Sequence, residues 1–286
     1  MASGCASRSR SPPVRRTHEP KEKSLGMDPI AIRECKTIDE LSDCVSLQRE
    51  VFGLPELEIS PRRHLIVTQQ AGGWTLGAFE EQGRGRLVGF VHHLVAVRGQ
   101  NEVIGYSHMM AVDRDYQNKG VGARLKWAQR ERALSEGRTF IKWTWDPMQA
   151  RNAHFNLNRL GVTVNSYAEN FYGTDYPADT DQHIAAGSGI DSDRLFANWD
   201  LSSSRVLKAA SGSGEAHLPE PAAKIAIPVD WPDLVKRDKE TARLEQIRVR
   251  REFQKAFASG LVCAGFERSA EHPHYLLYHR KMLELQ

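Results

Sequence analysis

The 286-residue sequence predicts a mixed α/β fold, and three observations carry that prediction. Short apolar runs and amphipathic stretches follow the order strand–helix–three strands–helix–strand–helix–strand over residues 30–201. One apolar strand passes directly into a glycine-containing turn and then an amphipathic helix, at Met109 to Leu125. After a Ser/Gly/Ala/Pro-rich stretch, a second group reads strand–helix–strand–strand from Lys224 onward.

Taken in order, Ile30 to Cys35 reads as a strand. Thr37-Ile38-Asp39-Glu40 reads as a helix start, and the helix runs to about Phe52 with Leu41, Cys44, Val45, Val51 and Phe52 on its apolar face. The segment "LPELEISPRRH" reads as a loop because of Pro55 and Pro61. Trp74 to Phe79 and Leu87 to Val97 form a hairpin across "EEQGRGR". Val103 to Val112 is the strand before the glycine turn. In the helix after it, Val121, Leu125 and Ala128, then Ala123, Trp127 and Leu134, recur at helical spacing.

"FIKWTW" (Phe140–Trp145) is the next strand, and Gln149 to Leu160 is a helix stopped by Gly161. Val162 to Tyr172 reads as extended, and a long polar loop follows from Gly173 to Asp193. Arg194 to Leu201 is a strand, and residues 203–222 read as a linker. Lys224 to Ile227, Pro232 to Ala258, "LVCAGF" after Gly260 and Tyr275 to Tyr278 then give strand, long charged helix, strand and strand. The expected organisation is a basic disordered tail (1–26), a main domain (27–202), the linker (203–222) and a C-terminal α/β extension packed on the core (223–286).

Composition narrows the function classes. Hydrophobic content of 40% supports a core, and no run approaches the ~20 apolar residues of a membrane span. The net charge of +3 is concentrated at one end. Residues 1–26 hold six basic side chains against Glu19 and Glu22, a surplus of four, which leaves residues 27–286 at about −1. A body of that charge argues against nucleic-acid binding, and a start at Met27 would remove the tail. Cys5, Cys35, Cys44 and Cys263 show no Cys-x-x-Cys spacing, so reduced thiols, a cytoplasmic setting and no metal are expected. Cys35 and Cys44 fit small core positions.

The turn is the chemical centre of the sequence. Gln117-Asn118-Lys119-Gly120-Val121-Gly122 opens a helix, so free N–H groups and the positive dipole end face an anion. Glycines let a diphosphate approach the backbone, and Lys119 adds charge. The pattern lacks the Gly-Lys-Ser/Thr end of a P-loop and the third glycine of the dinucleotide fingerprint.

In this context, Gln-x-x-Gly-x-Gly resembles the acyl-CoA pyrophosphate loop of the GNAT acyltransferases, over about Ile30 to Leu201. The resemblance implies a twisted central sheet flanked by helices. It implies acetyl-CoA or another acyl-CoA as donor, held through Gln117, Asn118, Lys119, Gly120, Val121, Gly122 and Ala123. It also implies that Met110, Ala111 and Val112 pair with pantetheine through the main chain, with a backbone N–H near Met110 facing the thioester oxygen. Asn152 and Phe155 would complete the cofactor site.

The family's usual Glu base is absent between Glu102 and the loop, and His108 stands as its substitute, beside Tyr106. Alternation puts Tyr106, His108, Met110 and Val112 on one face. A structural histidine inside the sheet is the competing role for His108. Of the adjacent His92 and His93, at most one shares that face. Where the family's thiolate-protonating Tyr is expected, this chain has Leu157, which leaves Tyr167, Tyr172 or water.

"RNAHFNLNRLG", "NFYG" and "SDRLFANW" resemble a bacterial GNAT branch, some of whose members acylate amino acids, sometimes with succinyl-CoA. The expected activity is transfer of an acetyl or succinyl group to a primary amine of a small molecule, an amino acid included. The alternative is a non-catalytic acyl-CoA-binding module. Arg194 is the candidate for a substrate or acyl carboxylate. Arg248, Arg250 and Arg251 read as a solvated helix face, and Trp143, Trp145 and Phe155 as core. A small-molecule substrate and a homodimer are the expected partners, with no membrane.

Overall fold

The computed structural model describes Met1 and residues 30–81, 85–176, 189–212 and 218–284; the expected tail, Cys5 and most of the Gly173–Asp193 loop lie outside these residues. The elements are β1 (Ile30–Glu34), α1 (Ile38–Phe52), α2 (Arg62–Gln70), β2 (Trp74–Glu80), β3 (Leu87–Arg98), β4 (Glu102–Val112) and α3 (Val121–Ser135). They continue with β5 (Phe140–Trp145), α4 (Ala150–His154), β6 (Tyr167–Ala168), β7 (Arg194–Asp200) and α5 (Ser204–Ala210). Last come β8 (Ala223–Ala226), α6 (Trp231–Arg237), α7 (Lys239–Ala258), β9 (Leu261–Glu267), β10 (His274–His279) and α8 (Arg280–Glu284).

The main sheet has the order β1-β2-β3-β4-β5-β7-β6, antiparallel except for β4 beside β5. A second sheet has the order β8-β10-β9. Local chemistry fixes the helix ends. Thr37 and Glu40 form a reciprocal capping box on α1, and Gly53 ends it in the left-handed region. Cys35 and Cys44 are buried free thiols, as small core residues should be.

The loop expected around Pro61 instead gives way to α2. Pro61 sits at its N-cap, where its missing N–H is harmless, and only Leu65 and Thr68 are buried. So thin an apolar stripe gives no periodic signal. The linker stretch holds α5, capped by Ser203, with Val206 fully buried. The long charged helix is broken at Asp238, which caps α7 through Thr241 N–H.

The two sheets share one buried cluster. Trp143, Trp145, Leu157 and Trp199 from the main sheet side join Phe253, Cys263, Phe266 and Tyr275 from the C-terminal part. Trp145 Nε1 donates to the Tyr275 hydroxyl at 3.3 Å, and that hydroxyl donates to Pro147 O at 2.8 Å. Residues of the two sheets thus bury one another in a single cluster.

Arg250 corrects the reading of a solvated arginine face. It is buried and bonds Asp193, Asp191 and Glu169. Arg248 does lie at the surface, paired with Glu245 and Glu252. Among the described residues, no helix is long and apolar enough to cross a membrane.

Candidate functional site

Two irregularities in β4 build the site. The first is its pairing with β5, which covers only Gly105↔Ile141 and Tyr106↔Lys142. From Ser107 to Val112 the β5-facing edge of β4 has no strand partner among the described residues, so the sheet opens into a wedge. Asp113 N–H bonds Val88 O, and antiparallel pairs alternate, so Met110 and Val112 turn their N–H and C=O groups toward the wedge. Ala111 turns its backbone groups to β3 and its side chain into the α1 cluster.

The second irregularity is a bulge. His92 pairs with Met109 but His93 pairs with Ser107, which leaves His108 as the extra residue. The bulge resets the alternation. Met110 and Val112 pack with Val121 and Leu125 on the α3 side. Tyr106 falls on the opposite face, because Ser107 points to Lys126 of α3. His108 lies against His64 of α2 and His92. The expectation of one shared face for Tyr106, His108, Met110 and Val112 is thus corrected: the last two turn away. His92 and His93 do face opposite ways, His93 stacking on Trp74 at 4.0 Å. Gly105 is required there, since an added Cβ would stand 2.2 Å from His93 Cε1.

His108 is exposed, yet its ring environment opposes charge. Burial first, then electrostatic repulsion from the neighbouring His64, pushes its pKa down to about 4. His92 is lowered to about 3, first by burial and then by His108. His108 Nε2 lies 3.3 Å from Ser60 Oγ, and Gln48 fixes Ser60 by bonding both its N–H and its C=O. On the same face Tyr106 bonds Thr144, and burial raises its pKa, so the phenol stays protonated.

The glycine turn sits at the open end of the wedge. Gln117 Nε2 donates to Val112 O at 3.0 Å, and Arg151 Nη1 donates to Gln117 Oε1 at 3.2 Å. Gln117 therefore ties the turn to both β4 and α4. Asn118 has φ 60° and Gly120 φ 83°, and α3 begins with no side-chain cap. A Cβ on Gly120 would meet nothing within 4 Å, and one on Gly122 would meet only Met110 and Val112 at ordinary contact. Packing does not demand Gly122, so its lack of a side chain keeps space in front of the helix N-terminus. That uncapped, open N-terminus presents free N–H groups and the positive end of the helix dipole.

Asn152 lies on α4, which Arg151 joins to the turn. Beyond it the helix opens into a π-turn, Phe155–Arg159, instead of continuing to Leu160 as α-helix. Phe155 packs on the main cluster and Leu157 is fully buried within it. Asn158 Oδ1 accepts from Phe266 N–H of β9 at 2.9 Å. The C-terminal sheet thus covers the segment where a thiolate-protonating Tyr would stand. Tyr167 is unsuited as its substitute: its hydroxyl donates to Asp193 at 2.6 Å, and burial raises its pKa. Tyr172 remains half open, beside Arg194.

Arg194 is only 4% exposed. Its guanidinium donates to Asp193 O and lies 5.1 Å from the Tyr172 ring, with no carboxylate bonded to it among the described residues. The neighbouring Asp193 carboxylate is already bonded to Arg250 and Tyr167. Lys142, on the same face through the Thr144↔Phe196 register, lies 4.5 Å from the Phe196 ring.

Sequence reasoning missed Lys126. Its amine is buried on the α3 side of the wedge, bonded to Ser107 Oγ at 2.8 Å and Gln129 Oε1 at 3.0 Å, and 3.7 Å from the Trp143 ring. Burial holds its pKa well below the ordinary range. A lysine whose folded pKa is depressed costs stability at every pH below its unfolded pKa, because the unfolded chain binds the extra proton. Lys126→Met should therefore raise the melting temperature at pH 7, an outcome that thermal denaturation at pH 7 and pH 9.5 checks. The gain should shrink at the higher pH.

The sequence pattern of the Acetyltransferase (GNAT) family matches residues 40–161. No curated protein sequence matches the chain significantly. Similar solved structures include the ribosomal-protein-S18-alanine N-acetyltransferase of Escherichia coli, 15% identical with a TM-score of 0.47 over 62% of this chain and 96% of that one. Another is a putative acetyltransferase of Acinetobacter baylyi, 13% identical with a TM-score of 0.48 over 63% and 96%. A third, a GNAT-family acetyltransferase of Streptococcus pneumoniae, is 17% identical with a TM-score of 0.46 over 59% and 98%. Residues 40–161 thus carry a GNAT acetyltransferase domain, a fold that supports acyl transfer from acyl-CoA in general.

Proposed function

We propose that this GNAT acetyltransferase domain moves an acetyl or related acyl group, succinyl among them, from acyl-CoA to a primary amine of a small molecule. The observation that supports this most is the wedge: Met110 and Val112 offer main-chain groups along one edge, with an uncapped helix N-terminus at its mouth. Gln117 to Ala123 would hold the diphosphate and Met110 and Val112 the pantetheine, with Asn152 and Phe155 beside them. Acyl-CoA supplies the thioester.

His108 takes the proton of the attacking amine, directly or through a water. The amine nitrogen bonds to the carbonyl carbon, and the oxyanion that forms meets a backbone N–H near Met110. The C–S bond then breaks and CoA leaves as thiolate. Its pKa is close enough to neutrality for a water to reprotonate it, so the buried Leu157 does not block turnover. Tyr106, held protonated beside Thr144, is the second polar group the substrate meets on that face.

Arg194 is read as the seat of a substrate carboxylate. A buried guanidinium without an acid partner is costly, and Arg250 nearby shows how the chain neutralises one when the role is structural. An amino acid acceptor fits this arrangement. Arg194→Met should lower kcat/KM for a carboxylate-bearing amine by ~10²-fold while sparing its decarboxylated counterpart. Equal losses for both would remove the carboxylate reading.

The test of the function itself is free-thiol release from acetyl-, propionyl- and succinyl-CoA against a panel of amines. Acceleration by a primary amine supports the proposal. Tight CoA binding with no amine-dependent release would favour a non-catalytic module.

A further inference from the structure

Three imidazoles from three elements meet beside the bulge of β4. His64 comes from α2, His92 from β3 and His108 from β4. Their ring centres lie 5.4 Å (His64–His92), 5.5 Å (His64–His108) and 6.0 Å (His92–His108) apart, every pair edge-on. Thr75 Oγ1 lies 2.8 Å from His92 Nδ1, and Ser60 Oγ 3.3 Å from His108 Nε2. Nε2 of His64 and of His92 are both buried without a hydrogen-bond partner among the described residues. No group of three His, Cys, Asp or Glu among these residues is placed to hold a metal ion.

Buried ring nitrogens without partners are unfavourable, and apolar rings would fill the same space at lower cost. The cluster therefore asks for a role that packing does not supply. We infer that His64, backed by His92, is a positioning residue that keeps His108 unprotonated, so that the bulge presents a proton acceptor to the incoming amine. This rests on the reading of His108 as the base.

The physical reason is mutual exclusion. Rings this close, with His92 fully buried among them, resist a second positive charge once one is present. The groups that act on the cluster are few. His64 is the charge that acts on His108; His64, His108 and, across the sheet, His93 act on His92. Among the described residues, no carboxylate or guanidinium acts on the His92 or His108 ring to offset that repulsion. An imidazolium at the bulge could take no proton and would repel an ammonium.

The test uses the full chain carrying His64→Ala or His64→Phe. Two quantities are read: the titration midpoint of the His108 ring by NMR, and the acid limb of kcat/KM. In the wild type both should fall near pH 4. His64→Ala removes the neighbouring charge and admits water, so midpoint and limb should rise together by roughly one pH unit. His64→Phe keeps the ring volume and removes only the charge, so the rise should be smaller but in the same direction. If the alanine variant does not fold, the phenylalanine variant carries the test. A His108 midpoint unchanged in the folded variants overturns the inference. A midpoint that moves while the rate profile stays fixed leaves the tuning in place and removes His108 as the base.

Discussion

Replacing Gly122 by Glu is expected to abolish acyl-CoA binding while leaving the protein folded. Gly122 lies in the first turn of α3, just after Gly120, the left-handed residue that starts the helix. Its Cβ position has only ordinary contacts, at 3.5 Å from Met110 and 3.8 Å from Val112. A Glu side chain is therefore tolerated by the fold, and a carboxylate near a helix N-terminus adds about 0.3–1 kcal/mol of stability. The same carboxylate would enter the space proposed for the diphosphate and oppose its charge. Gly120→Glu should also abolish binding, but φ 83° makes every side chain strained there, so a loss would have two causes. Gly122→Glu separates them. Calorimetric titration with CoA, alongside a melting curve, reads both quantities. Unchanged affinity in a folded variant would remove the turn from the cofactor site.

The second large effect is expected at His108. His108→Ala should lower kcat by about 10²–10⁴-fold, the usual worth of a positioned general base. Affinity for CoA should hardly change, because that binding is proposed to rest on the turn and the main chain of β4. A general base works in its unprotonated form, so the wild-type rate should be lost as pH falls through about 4. That acid limb should vanish in His108→Ala and in His108→Asn. The sequence alone places the limb near the ordinary histidine pKa of ~6.5; the pocket beside His64 moves it down. Activity equal to wild type in both variants would make His108 a structural residue of the bulge.

Much of the fold is legible in the sequence because periodicity and punctuation are local. β5, β4, α1 and β9 need only an apolar run and a cap or glycine to mark them. The glycine turn is legible for the same reason: its chemistry lies within seven consecutive residues. What the sequence hides is set by partners far along the chain. Strict alternation cannot show the bulge, because the extra residue exists only relative to β3, and it decides which of Tyr106, His108 and Met110 share a face. The polar face of α3 is hidden likewise. Lys126, Gln129 and Arg130 look solvent-bound by type, but Ser107, His93 and the Leu201 carbonyl bury them. The role of Arg250 depends on three acids 57–81 residues away. His64 sits in a helix too weakly apolar to read, and with it goes the histidine cluster.

Acyl transfer to an amine can be followed in one time course. Wild-type protein is incubated with acetyl-CoA and an amino acid acceptor, and free CoA thiol and N-acylated amine are measured in the same samples by absorbance and mass spectrometry. If the domain acylates amines, the two products appear together in a one-to-one ratio, each absent without the other substrate. Thiol release with no acylated amine, for any acceptor of the panel, would contradict acyl transfer to an amine.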